Sequence, residues 1–206
     1  MISFDEHAKD WDSDPAKVER ARVVGDAIRR AVALGPGMTA LEYGCGTGLL
    51  SFALQPEFVS ITLADTSQGM LDVLSEKIKS AGVTNMHPVR LDLSSDPLPD
   101  LRFGIIFSLM TLHHIPDTSK LLGRFHDLLE SGGFLCIADL EKEDGSFHGA
   151  DVTDVHKGFD RPTLEQQLKD AGFGELKFSH VHDVIRLVDG VEKAFPLFLM
   201  IARRNV

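Results

Sequence analysis

Gly44, Gly46 and Gly48 recur at every second position in the run Glu42-Tyr43-Gly44-Cys45-Gly46-Thr47-Gly48, after a short apolar stretch from Thr39. Residues without a Cβ let a chain turn sharply out of a strand and let a ligand approach the backbone. A helix that follows such a turn offers free amide N–H groups and the positive end of its dipole. A loop of this kind is shared by many nucleotide-binding folds, and its spacing is what discriminates. The dinucleotide fingerprint leaves two residues before its last glycine, whereas one stands here. Glu42 directly precedes the first glycine. A carboxylate there opposes a pyrophosphate and suits a ligand with a positive amine or sulfonium.

Two further acids stand at expected strand ends, Asp65 after Ser60 to Ala64 and Asp92 within His87 to Leu93. The oxygens of one carboxylate can accept from both hydroxyls of a ribose, and the other can accept from an exocyclic adenine amine. The ordinary role for either residue is to cap a helix or start a loop. Three acids at successive strand ends beside a glycine loop point together to one ligand, because open α/β sheets place ligands at the carboxyl ends of their strands.

The elements that must position these residues alternate in type. Asp14-Pro15 starts a helix with Ala21, Val24, Ile28 and Ala31 at helical spacing. Strand patterns at Thr39–Tyr43, Ser60–Asp65, His87–Leu93, Phe103–Leu109 and Phe134–Leu140 are separated by helical ones, except that Ser94 to Asp100, with two prolines, reads as a loop before the fourth strand. One helix carries Leu71, Leu74, Ile78 and Ala81, capped by Thr66 or Ser67 and closed by Gly82. Another carries Leu121, Leu122, Phe125, Leu128 and Leu129, and a last one Leu164, Leu168, Ala171 and Phe173. This order predicts an α/β, Rossmann-like three-layer sandwich with a mostly parallel sheet and right-handed crossovers. Glu175–Leu187 and Phe195–Arg203 flank the turn Asp189-Gly190 without a helix between them, which predicts an antiparallel hairpin closing one edge.

At this point the sequence resembles the class I S-adenosylmethionine-dependent methyltransferases. Leu41 to Gly48 is similar to that family's first motif, Ala64-Asp65-Thr66-Ser67 with Gly69-Met70 to its second, and Leu91-Asp92-Leu93 to its third. Phe107 to His114 and Leu129 to Asp139 resemble the later ones, and Phe4 to Asp12 resembles the opening of small-molecule, quinone-methyltransferase-like members. The resemblance covers the chain from about Phe4 onward and implies seven strands, the last antiparallel. It implies S-adenosylmethionine as cofactor, with Gly44, Cys45 and Gly46 at the methionine part and Asp65 with Thr66 at the ribose. Asp92 and Leu93 belong at the adenine, Met70 at the adenine or ribose edge, Ser108 and Leu109 beside the sulfonium, and Trp11 closes over the ligand.

One domain is expected over residues 1–206: a cap segment and helix to 36, a cofactor-binding core at 37–140, an acceptor cover at 141–160, and the last helix and hairpin at 161–206. The implied reaction is methyl transfer to a small organic acceptor at carbon, oxygen or nitrogen. In-line displacement at an activated methyl asks mainly for alignment. A general base is needed only where the acceptor must lose a proton. His113, after the fourth strand, is the residue placed to serve. His114, His148 and His156 lie nearby in the pattern but read as solvated or capping groups. Ser108-Leu109-Met110-Thr111 lacks the motif of nucleic-acid amino-methylating members, and two cysteines are too few for the arsenic-methylating ones. No metal site is expected from the spacing. A nicotinamide-dependent oxidoreductase is opposed by the glycine spacing and Glu42, while a non-catalytic binding or assembly protein on the same fold stays open.

Composition is consistent with this. Hydrophobic residues make 43% and charged ones 25% of 206 residues, enough for one sizeable core. The net charge of −10 with scattered Lys and Arg argues against a nucleic-acid partner. The acidic start and the lack of a long apolar run predict no leader, no membrane span and a cytoplasmic location. The oligomeric state leaves no trace in the pattern.

Overall fold

A computed structural model describes residues 4–149, 152 and 154–205. Helix α1 (Phe4–His7) and a 3₁₀ turn (Ala8–Ser13) lead into α2 (Pro15–Ala31). The Asp14 carboxylate caps α2 by accepting from the Ala16 amide at 2.9 Å, with Pro15 in the first turn. Its periodic Ala21, Val24 and Ile28 are buried as their spacing predicts. The chain then runs through β1 (Thr39–Tyr43), α3 (Leu49–Leu54), β2 (Ser60–Asp65), α4 (Gln68–Ala81), β3 (Met86–Arg90) and β4 (Phe103–Leu109). A 3₁₀ turn (Leu112–His114), α5 (Thr118–Leu128), β5 (Leu129–Leu140), α6 (Arg161–Asp170), β6 (Phe173–Val188) and β7 (Val191–Arg204) complete it.

The seven strands form one sheet in the order β3-β2-β1-β4-β5-β7-β6. β7 lies antiparallel between β5 and β6, and the other neighbouring pairs are parallel. This is the expected α/β three-layer arrangement with its C-terminal hairpin. One apolar layer packs α5 and α6 against the sheet through Leu121, Leu122, Phe125, Leu128, Leu164 and Leu168. The other packs α2, α3 and α4 through Val24, Ile28, Leu50, Leu54, Leu71 and Leu74. Each such Leu or Phe contributes about 1.5–3 kcal/mol by leaving water, which is why a helix as short as α3 holds its place.

Several boundaries differ from the pattern. β3 ends at Arg90, opposite Asp65, instead of reaching Leu93. The Asp92 amide donates to the Asp96 carboxylate at 2.9 Å and the Ser94 amide to Asp92 at 2.7 Å, so local side-chain bonds turn the chain out of the ladder. Leu129 belongs to β5 and Phe173 to β6, although both continue a helical stripe: each is buried in the same layer as the helix before it. The expected acceptor cover at 141–160 follows β5, and its residues 150, 151 and 153, like 1–3 of the cap segment and 206, lie outside the described residues. Its end is pinned back by the Phe159 amide on the Leu140 carbonyl at 2.9 Å and the His156 amide on the His113 carbonyl at 2.8 Å.

Candidate active site

The glycine loop joins β1 to α3 at the carboxyl edge of the sheet. Gly44, Gly46 and Gly48 have φ of 70°, 51° and 78°, all left-handed. The amides of Gly44 and Cys45 both donate to the Ala64 carbonyl, at 2.8 and 3.1 Å, which ties the loop to β2. A Cβ on Gly44 would overlap the Thr111 side chain, so β4's exit packs directly on the loop. A Cβ on Gly46 would instead meet only the Met70 sulfur, at 3.9 Å. The Gly46 side of the loop is therefore the less crowded one, with the Asp65 carboxylate beside it.

Glu42 turns inward from the loop. Its carboxylate accepts from the Ser51 amide at 3.1 Å and from the Ser51 hydroxyl, which fastens β1 to α3. Burial pushes its pKa up to about 8, although the Ser51 bonds work in the opposite direction. Burial, and then the nearby Glu42 and Asp65 carboxylates, also hold the Cys45 thiol well above its ordinary range, so it is protonated and a poor nucleophile.

Asp65 braces the loop from β2. One oxygen accepts from the Gly46 amide at 2.7 Å and the other from the Ser67 amide at 2.9 Å. Thr66 beside it is exposed, and Met70 on α4 is buried. Asp92 sits in the turn after β3, half-buried. Burial raises its pKa, but bonds from the Ser94 amide and the Ser95 and Ser94 hydroxyls outweigh this and hold it below the usual carboxylate range. Leu93 is fully buried in the same apolar layer as α5 and α6. Ser108 is buried with its hydroxyl donating to the Tyr43 carbonyl at 2.9 Å, and Leu109 beside it is half-buried.

The N-terminal segment lies across these elements. Asp5 accepts from the Ser67 hydroxyl at 2.5 Å and the Gly69 amide at 2.8 Å, at the start of α4. Asp12 accepts from Thr47 of the glycine loop at 2.5 Å and pairs with Lys77 of α4. Phe4 meets the Trp11 ring edge-on at 6.1 Å and the His114 ring at 5.3 Å. Lys17 stands over the Trp11 face at 4.0 Å. The segment thus spans from the end of β4, over the glycine loop, to α4.

On the far side of the loop the structure gathers groups that the pattern kept apart. Leu109 of β4 stands opposite Ala138 of β5, which brings the turn after β4 alongside Asp139. His113 Nδ1 lies 2.6 Å from an Asp139 oxygen, and both groups are buried. Asp139 also accepts from the Leu140 amide at 2.7 Å and the His113 amide at 3.3 Å. Burial raises the Asp139 pKa, but His113 and these bonds overcome it and hold the carboxyl low. Asp139 is therefore the anion, and it faces His113 Nδ1. His148 approaches with ring centroids 5.0 Å from His113, and His114 lies 4.1 Å from His113. Burial, and then His113, push His114 and His148 down to about 4, so both are neutral at pH 7. Phe147 packs edge-on to His148 at 4.8 Å and to Phe195 at 5.1 Å, forming an apolar wall. His156 stands apart, with its Nε2 2.9 Å from the Ile115 carbonyl.

Sequence reading pointed to His113 and passed over Asp139, because the pair is 26 residues apart and forms only through strand register. No described helix is long and apolar enough to cross a membrane.

Comparison with known proteins bears on the fold and the family. The family model described as a methyltransferase domain matches residues 17–176. The uncharacterized methyltransferase C1347.09 of Schizosaccharomyces pombe is 34% identical over 120 residues, which are 55% of this chain and 42% of that protein, so the match spans less than half of that relative's length. The ubiquinone/menaquinone biosynthesis C-methyltransferase UbiE of Shewanella piezotolerans is 26% identical over 180 residues, 73% of this chain and 72% of the enzyme. Among solved structures, phosphoethanolamine N-methyltransferase 2 of Haemonchus contortus with bound S-adenosyl-L-methionine superposes with a TM-score of 0.73 at 15% identity, covering 100% of this chain and 61% of that one. The oxidoreductase and non-catalytic alternatives are not favoured by these matches. The chain belongs to the S-adenosylmethionine-dependent methyltransferases.

Proposed function

We propose that this protein methylates a small organic acceptor with an aromatic or quinol-like ring, held at the histidine-lined side of the glycine loop. The observation that carries this is the buried His113–Asp139 pair, whose Nε2 has no hydrogen-bond partner among the described residues and which follows closely on Thr111, whose hydroxyl reaches the Gly44 carbonyl at 3.3 Å. The aromatic wall of Phe147 and Phe195 supports a ring-shaped acceptor, as do relatives named for ubiquinone and menaquinone methylation.

When bound, S-adenosylmethionine supplies a methyl group already activated on a sulfonium. The Gly44, Cys45 and Gly46 backbone holds its methionine part, and Asp65, with Thr66 beside it, accepts from the ribose hydroxyls. Asp92 takes the adenine amine, with Leu93 and Met70 shaping the purine site. Ser108 and Leu109 border the methyl-bearing end, and Trp11 with the N-terminal segment excludes water. His113 Nε2 takes the acceptor's proton as the acceptor bonds to the methyl carbon, and Asp139 stabilises the imidazolium that results. The described residues of the segment after β5, Phe147 and His148 among them, cover the acceptor.

Calorimetry with S-adenosylmethionine, S-adenosylhomocysteine and NAD tests the donor site, and NAD binding without the sulfonium compound would sink it. Release of S-adenosylhomocysteine in the presence of 1,4-naphthohydroquinone, phenol, an alkyl amine or a thiol tests the acceptor. Turnover with the hydroquinone is expected; turnover only with the amine or thiol would refute the ring-shaped acceptor.

A further inference from the structure

The methyl-transfer reading uses one of the three histidines gathered at the end of β4. His113 and His114 share a single 3₁₀ turn, and His148 arrives from the segment after β5. One ring nitrogen from each lies within 4.8 Å of the other two. Nε2 of His113 and Nε2 of His148 are both buried without a hydrogen-bond partner among the described residues. A buried polar group left unpaired is destabilising. One metal ion shared by the three-histidine cluster would satisfy both nitrogens at once.

The support behind the cluster points the same way. A histidine that binds a metal usually donates its other ring N–H to a carboxylate, which fixes the tautomer and the ring plane. Asp139 does this for His113 at 2.6 Å. An all-imidazole set suits zinc and its neighbours in the first transition row and not magnesium or calcium, which take oxygen ligands. Zinc–nitrogen bonds of about 2.0–2.1 Å place tetrahedral ligand atoms roughly 3.4 Å apart. Rings whose nitrogens lie within 4.8 Å therefore need to close by little more than an ångström. Phe147, edge-on to His113 at 6.3 Å, keeps the surroundings apolar.

We propose that His113, His114 and His148 form a site for one divalent transition-metal ion of the zinc type, with a fourth position left open. That three histidines bind an ion stands on their geometry alone; that the open position takes the methyl acceptor rests on the methyl-transfer reading above. In this arrangement the ion occupies the His113 lone pair and takes over its task. The acceptor's oxygen or nitrogen enters the fourth position, loses its proton to solvent, and keeps the electron pair that bonds the methyl carbon as the sulfide leaves.

The test uses the full chain, stripped with EDTA and titrated with Co²⁺, whose visible absorption reports tetrahedral coordination. One Co²⁺ per chain, displaced by Zn²⁺, is expected. His148→Ala and His114→Ala should each weaken binding by more than about 100-fold, and Asp139→Asn by about 10–100-fold. Binding of S-adenosylhomocysteine by the variants shows that they are folded. Absence of tetrahedral Co²⁺ bands in the parent protein, or unchanged affinity in both folded histidine variants, would overturn the proposal. Failure of the parent protein to bind S-adenosylhomocysteine would instead strike the cofactor reading and leave the metal result standing.

Discussion

Both carboxylate oxygens of Asp65 already brace the loop, through the Gly46 and Ser67 amides, and each oxygen retains acceptor capacity for a ribose hydroxyl. Asp65→Ala is expected to weaken S-adenosylmethionine binding by more than about tenfold, or 1.4 kcal/mol, with the circular dichroism spectrum kept; unchanged calorimetric affinity would remove the ribose role. Glu42 gives a prediction of a different kind. Its folded pKa of about 8 lies above the ordinary value of 4.5 because it is buried. Between these two values the folded chain binds a proton that the unfolded chain releases, so this residue's contribution to stability falls as pH rises from about 4.5 to 8. Glu42→Gln keeps an acceptor for Ser51 and removes the titration. The melting temperature of the variant should therefore gain on the parent steadily from pH 5 to pH 8, and parallel curves would show that Glu42 stays ionised. At this scale the glycine turn and the place of Asp65 at the end of β2 were legible, because residue type and strand-end position suffice to mark them, whereas Asp92 stands past the end of β3 in a turn of its own. Ser51 as the partner of Glu42 was not legible, since nothing in the spacing says that a helix will turn that hydroxyl inward.

At the scale of elements, the N-terminal segment is held by a few exposed or half-buried polar contacts and the sheet by continuous apolar layers. Asp12 links the segment to both the glycine loop and α4, through Thr47 and Lys77. Asp12→Ala should raise amide hydrogen exchange across residues 4–13 and speed release of S-adenosylhomocysteine several-fold in stopped flow, while leaving the melting temperature nearly unchanged. Equal exchange rates in parent and variant would mean that the aromatic contacts of Phe4 suffice. The elements themselves were legible wherever periodicity was strong, as in α2, α4 and α5. Their ends were less so. β3 stops early because Asp92 and Asp96 form a local turn, and Leu129 and Phe173 pass from a helical stripe into strands because the same apolar layer continues beneath both.

For the whole molecule, a ligand that binds only the folded chain must raise its stability. S-adenosylhomocysteine at about 100 times its Kd should add roughly 2.7 kcal/mol, which for a chain of this size is a rise of about 5–11 °C in Tm. NAD at the same concentration should give none, and an equal rise with NAD would return the loop to a dinucleotide.

By itself the sequence determined the alternation of strands and helices, the glycine loop with its acids, and therefore the fold and the methyl donor. These are local properties: turn chemistry, hydrophobic period and residue type at strand ends. Only the tertiary structure decided which side chains gather at the end of β4. The parallel register of β4 on β5 sets Asp139 beside His113, and the chain returning after β5 brings His148 to the same point. Such contacts depend on how distant segments are stacked, and the spacing of residues along the chain carries no record of that.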